Sequence, residues 1–179
     1  MATDTSSQLP APKRIVTAYD DAGKSVIQKI DTLQLKPYPN SKSGYRDAWT
    51  FDKVPTNDNN LSIDGSERTI TGPGLSIVHA GGVRCFFNDL APGMTKPSPM
   101  HRTMSTDVDV LISGQVFLIM EDGTETLLDK PGDSIVQRGT AHAWRNPSTT
   151  EWVRFMSVVV DAEPVVVDGK ALKNEFLHA

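Results

Sequence analysis

The sequence predicts an all-β fold, a jelly-roll barrel, on three observations. From Leu75 to Val167, short β-prone runs alternate with turn signals at regular spacing. Long amphipathic helix patterns are scarce, which disfavours helix bundles and doubly wound α/β folds. Gly (13 residues) and Pro (12) punctuate the chain throughout, as many short strands joined by turns require. The length of 179 residues suits one domain with extensions and can close a core without disulfide or metal staples.

Residues 1–12 are polar and Pro-containing and read as a flexible tail. Residues 13–75 read as an N-terminal extension packing on the barrel. It holds strand candidates Arg14 to Ala18 and Ser25 to Ile30, a turn at Asp20-Asp21-Ala22-Gly23, and a polar loop from Pro55 to Gly74. Residues 76–167 read as the barrel. The strand candidates of the β-rich block are Leu75–His79, Val83–Leu90, Val108–Ile112, Gln115–Met120, Glu125–Leu128, Ser134–Arg138, His142–Arg145 and Trp152–Val160. Asp122-Gly123 between two of them is a strong hairpin signal. These eight strands suffice for a jelly roll. In the C-terminal segment, 168–179, Leu172, Phe176 and Leu177 fall at helical spacing, so one short helix is expected there.

Composition excludes several function classes. Lys plus Arg is 18 against 22 Asp plus Glu, a net charge of −4, which argues against a nucleic-acid partner. No apolar run approaches the ~20 residues of a membrane helix, so no membrane partner is expected. The start, MATDTSSQLP, lacks the basic and apolar stretches of a secretory signal, and a cytoplasmic location is the simplest expectation. The single cysteine, Cys85, excludes a disulfide framework and a Cys-cluster zinc site, and reads as core. Phosphate-binding loops, dinucleotide fingerprints and Gly-x-Ser-x-Gly elbows are absent.

Chemistry concentrates in two segments. In Pro99-Met100-His101-Arg102-Thr103-Met104-Ser105-Thr106-Asp107, followed after six intervening residues by Gly114, His101 and Thr103 share a strand face. Asp107 opens the next strand, and Asp109 competes with it at the same parity. In Gly132 to Asn146, one face carries His142, Trp144 and Asn146. Arg84 and Phe86 share a face of another strand; if it is interior, Arg84 is a candidate anion-binding group for a substrate carboxylate or enolate. Arg102 and Arg145 have the opposite parity to their histidines and are expected outside. His79 reads as structural or surface, and His178 as a solvated tail residue.

The two segments resemble the paired signatures of the cupin superfamily. The first family motif is His-x-His, a Glu four or five residues on, then a Gly; here stand His101-x-Thr103, Asp107 and Gly114. The second is Gly, then Pro-x-Gly, His and Asn; here stand Gly132, Gln137-x-Gly139, His142 and Asn146. Seventeen residues, 115 to 131, separate the motifs. The runs Arg14-Ile15-Val16-Thr17, Met100-His101-Arg102-Thr103 and His142-Ala143-Trp144-Arg145-Asn146 look like a small single-domain subgroup of fungi and bacteria. The resemblance covers roughly residues 13–162. It implies a double-stranded β-helix, a homodimer, and a ligand pocket inside the barrel. It also implies a tailoring role beside polyketide pathways.

For the site, the resemblance implies His101, His142 and Asp107 as the pocket's chemical groups, and strand facing adds Thr103, Arg84, Trp144 and Phe86 as substrate-binding candidates. The family's metal ligands map at most onto His101, Asp107 and His142, because Thr103 replaces a histidine and Asp107 a glutamate. Two histidines and a carboxylate suit one divalent ion, Fe or Zn. The metal-free alternative is a general acid/base pair of imidazoles in an apolar barrel. Three functions therefore stand open: a lyase-type enzyme (dehydratase, decarboxylase or cyclase) acting on a small carbonyl-containing or phenolic substrate, a metal-dependent oxidoreductase or dioxygenase, and a non-catalytic small-molecule binder.

Overall fold

A computed structural model describes residues 9–177 of the chain. Fifteen strands follow in order: β1 Lys13–Tyr19, β2 Ser25–Thr32, β3 Lys36–Pro37, β4 Gly44–Phe51, β5 Val83–Leu90, β6 His101–Arg102, β7 Ser105–Ser113, β8 Val116–Met120, β9 Glu125–Leu128, β10 Ser134–Arg138, β11 His142–Arg145, β12 Val153–Asp161, β13 Val166–Val167, β14 Lys170–Ala171 and β15 Glu175–Phe176. Two 3-10 turns, Asp58–Asn60 and Gly65–Glu67, are the helical pieces among the described residues.

The barrel is two antiparallel sheets. The larger has the order β10-β7-β12-β5-β4-β3 and the smaller β15-β6-β11-β8-β9. Alternation decides which side chains meet between them. Along β7 the buried residues are Ser105, Asp107, Asp109 and Leu111, every second one. At one end of the interior, Leu90, Leu111, Val116, Leu118, Leu128, Trp144, Val153 and Phe155 form the apolar core. Fully burying a Leu or Val of this kind stabilises by about 1.5–3 kcal/mol. Gly114 turns β7 into β8 at φ +77°, and a Cβ there would stand 2.6 Å from the Trp152 carbonyl oxygen, so only glycine fits.

The N-terminal residues lie on the barrel's outside. β1 and β2 form their own hairpin. Arg14 fastens it: Nε donates to Asp31 Oδ1 at 3.0 Å, Nη1 to Asp64 Oδ1 at 2.7 Å and to the Ala48 carbonyl at 3.1 Å. The outer face of the large sheet buries an ionic cluster in which Arg46 and Arg154 both donate to Asp89, at 2.9 Å and 2.6 Å. The same two guanidiniums donate to the carbonyls of Leu33 and Pro10.

Three expectations change. The C-terminal segment forms no helix among the described residues: Val166–Val167 pairs with Lys170–Ala171, and β15 adds to the edge of β6. The backbone of β15 finds its partners there, and the Arg102–Glu175 ion pair locks the register. Leu75–His79 is not a strand. Leu75 and Ser76 adopt φ +57° and +60°, so the segment coils, with Ile77 and Val78 amides bonding back to the Gly74 carbonyl. Conversely, Gly44–Phe51 is a barrel strand between β3 and β5. Residues 1–8 of the expected tail, and His178, lie outside the described residues.

Candidate active site

The site is built where β6 meets β11. His142 lies directly opposite His101 in the ladder, and β11 continues on its other side to β8. This pairing brings the imidazole centroids to 4.5 Å. Each ring is oriented by its own chain. His101 Nδ1 donates to the Pro99 carbonyl and His142 Nδ1 to the Thr140 carbonyl, both at 3.0 Å. A carbonyl oxygen can only accept, so both rings carry their proton on Nδ1 and keep Nε2 as the basic atom. Burial disfavours the imidazolium. It lowers the His101 pKa, and it takes His142 down to about 4 with further repulsion from His101. Both rings are therefore neutral at pH 7.

Aromatic groups extend the pair inward and outward. Trp144 meets His142 edge-on at 5.6 Å and packs on Phe155 at 4.7 Å. Phe176 of β15 stands 6.0 Å from His101 at the outer side. Trp144 thus joins the imidazoles to the apolar core.

Across the interior, the large sheet contributes polar groups. Asp107 and Asp109 are buried on β7, and desolvation raises their carboxyls to about 6 and about 7. Ser157 of β12, the cross-strand partner of Asp109, donates to it. Asn88 donates to Ser157 at 2.9 Å, and the Tyr38 hydroxyl donates to Asn88. This chain joins three strands, β7, β12 and β5, to the residue that follows β3. Gln137 of β10 pairs with Asp107, and the Thr140 hydroxyl donates to its Oε1 at 2.8 Å. Thr103 is buried and accepts from the Ser105 hydroxyl at 2.9 Å.

Arg84 and Phe86 do face the interior, beside this patch: Phe86 is the cross-strand partner of Ser157. Phe86 packs with Val78 and Val159. Arg84 stacks over Phe86 at 4.3 Å and Tyr45 at 4.8 Å. Its Nε donates to Asp47 at 2.8 Å and its Nη1 to the Ser76 carbonyl at 3.0 Å. A substrate anion would have to displace Asp47 to use it. His79 is buried, with Nδ1 accepting from the Thr71 amide at 3.3 Å. Asn146 holds the closed end of the barrel, donating to the carbonyls of Leu90, Ala91 and Glu151.

His101, His142 and Asp107 do not come together as a ligand set: among the described residues no three His, Cys, Asp or Glu side chains converge to hold an ion. The histidines belong to the small sheet and Asp107 to the large one. The donor set does not fit a resident metal in this arrangement. A surface cleft of about 230 Å³ lies outside the barrel, lined by Val16, Lys29, Trp49 and Asp64, and contains none of the candidate site residues. Among the described residues, no helix is long and apolar enough to cross a membrane.

Sequence reasoning missed Gln137, Ser157, Asn88 and Tyr38. For two of them the signal was present. Gln137 alternates with Ile135, and Ser157 with Phe155 and Val159, each a polar residue at an inward position.

No family model matches the chain. Individual proteins do. The chain is 36% identical over 173 residues to phomopsin biosynthesis cluster protein C' of Diaporthe leptostromiformis, covering 93% of this chain and 87% of that protein. It is 30% identical over 167 residues to the cupin-domain-containing oxidoreductase fogC of Aspergillus ruber, covering 90% and 78%. It is 35% identical over 164 residues to the cupin-domain-containing oxidoreductase srdB of Neurospora crassa, covering 90% and 79%. Among solved structures, the polyketide cyclase RemF from Streptomyces resistomycificus superposes with a TM-score of 0.48 at 16% identity, over 82% of each chain.

Proposed function

The chain belongs to the cupin-domain proteins, and on that premise we propose that it is a tailoring enzyme of fungal-type secondary metabolism. It moves protons on a small carbonyl-containing or phenolic substrate, in lyase-type chemistry: loss of water or carbon dioxide, with ring closure or aromatisation where the product allows. The observation that carries this reading is the imidazole pair. Two neutral rings 4.5 Å apart, each with Nδ1 tied to a carbonyl, offer two basic Nε2 atoms in a largely dry interior. One Nε2 takes the proton from carbon or oxygen, and the imidazolium so formed returns that same proton to the leaving or accepting atom, while the Nε2 of the other, neutral ring accepts a hydrogen bond from a substrate hydroxyl. Asp107, whose carboxyl burial raises to about 6, assists from the opposite sheet. Trp144 and Phe155 provide the apolar wall against which a planar substrate lies. Relatives from biosynthesis clusters support the tailoring role.

The test needs no natural substrate. An enolisable ketone is incubated in D2O with the protein, and exchange at its α-carbon is followed by NMR. Wild type is expected to catalyse exchange, and His101→Ala or His142→Ala to lower it 10²–10⁴-fold. Unchanged exchange in both variants defeats the reading. The second reading is an oxidoreductase, which the names of four relatives favour. Substrate-dependent oxygen uptake that tracks bound metal would select it.

A further inference from the structure

One buried pair keeps hydrogen-bonding atoms that nothing in the fold engages. Gln137 on β10 stands directly opposite Asp107 on β7. Both face the interior, at 3% and 5% exposure. Directly opposed strand residues have Cβ atoms about 4.5–5.5 Å apart. Gln137 Nε2 has no hydrogen-bond partner, and neither has Asp107 Oδ1. A buried donor and a buried acceptor therefore stand side by side without joining. The Thr140 hydroxyl holds the amide by its oxygen, which leaves the NH2 group as the free end. Buried polar groups left unpaired are rare, and each calls for a cause. A core built only for stability would close this pair on itself or replace it with apolar side chains. The glutamine also occupies the place where the resembled superfamily pattern has proline, a residue with no side-chain donor.

We propose that Gln137 and Asp107 form the recognition edge of the substrate site. Gln137 Nε2 donates to a carbonyl or enolate oxygen, and Asp107 Oδ1 accepts from an adjacent hydroxyl or N–H. The ligand class is a small molecule presenting acceptor and donor along one edge: an enolised β-dicarbonyl, a carboxylic acid or a primary amide. The buried hydrogen-bond chain Asp109–Ser157–Asn88–Tyr38 continues the polar side of the same sheet. The imidazole pair belongs to the opposite sheet, so the edge fixes one side of a guest and the bases address the other. This assignment rests on the proposed function only in taking the barrel interior as the ligand site.

The experiment uses the full chain, labelled with 15N, and two probes: acetylacetone, an enolised β-diketone, and benzamide. A saturable shift of the Gln137 side-chain amide resonances is expected with at least one. Q137L is expected to weaken probe binding tenfold or more, and Q137M, a second near-isosteric variant, equally. S134A, at an exposed position of the same strand, is expected to bind as wild type does. The assignment is overturned if neither probe shifts the resonances, or if either glutamine variant folds and binds like wild type. It is also overturned if both variants lose stability while the wild-type resonances stay unmoved, because Gln137 then only holds the Thr140 turn. Deuterium exchange in the histidine variants reads the catalytic proposal separately. Exchange that survives those variants, beside binding that depends on Gln137, would remove the mechanism and leave the recognition edge standing.

Discussion

Burial raises the Asp109 carboxyl to about 7, with the Ser157 hydroxyl opposing and Asp107 adding to the effect. The folded chain therefore binds this proton more tightly than the unfolded chain does. Between about pH 4, the unfolded value, and pH 7, the folded state holds more protons, so stability falls as pH rises. Asp107, raised to about 6, acts in the same direction. Asp109→Asn removes the buried charge while keeping the shape. It should stabilise the protein at pH 8 by roughly 1–3 kcal/mol and leave it unchanged near pH 4. Urea unfolding at the two pH values checks this, and a D109N variant that gains nothing at pH 8 contradicts it. At this scale the sequence was half legible. Parity put Asp107, Asp109, His142 and Trp144 inward, because each lies in a regular strand where alternation fixes facing. That Arg84 is tied to Asp47 could not be read. The tie joins β5 to β4, and β4 was not recognised as a strand.

Elements were legible where one face was apolar and one polar. β1 and β10 alternate in exposure along their length, and β8 is a short unbroken apolar run with turn residues on either side. β4 failed this criterion for a physical reason: its buried residues Arg46, Asp47 and Thr50 are polar, with Arg46 and Asp47 ion-paired on opposite faces of the sheet, so no hydrophobic period marks it. Leu75–His79 failed in the opposite way. Its composition is β-prone, yet Gly72-Pro73-Gly74 feeds it into a coil whose Leu75 and Ser76 take left-handed dihedrals. A β-branched side chain tolerates that region badly. Ser76→Val should therefore destabilise by about 1–2 kcal/mol and loosen the carbonyl that Arg84 holds. Thermal melting reads the first effect; a variant as stable as wild type rules out the strained geometry. The β1–β2 hairpin makes a prediction about acid. The Arg14 guanidinium holds the Asp64 carboxyl far below the usual range and Asp31 at about 2. Depressed carboxyls give stability that is complete above about pH 4 and lost as pH falls through their folded values. Amide exchange in β1 and β2 should accelerate between pH 4 and 2 before the barrel strands respond. In Arg14→Met, exchange should be fast already at pH 6, with little further acid dependence.

At the scale of the whole molecule, the two-sheet barrel was legible because it needs only strand count, turn spacing and a closed apolar end. What ties the N-terminal chain to that barrel was not, since it is ionic and spans the full sequence. Asp89, on the outer face of β5, is fully buried and accepts from Arg154 of β12 and Arg46 of β4. The arginines then reach Pro10 and Leu33. One carboxylate thus joins three strands of the large sheet to the segments on either side of the hairpin. Buried ion pairs offset a large desolvation cost, so their net worth is small while intact and the penalty for breaking them is large. Asp89→Ala should strand two buried guanidiniums and destabilise by about 3–5 kcal/mol, enough to threaten a domain whose total stability is about 5–15 kcal/mol. Replacing all three partners together, as Asp89→Leu with Arg46→Met and Arg154→Met, should recover most of that loss, because apolar groups of similar volume bear no such penalty. Denaturant midpoints of the single and triple variants decide the matter. If the triple variant is no more stable than Asp89→Ala, the cluster is held by specific geometry that apolar packing cannot replace. The N-terminal chain would then depend on the hydrogen bonds to Pro10 and Leu33 themselves.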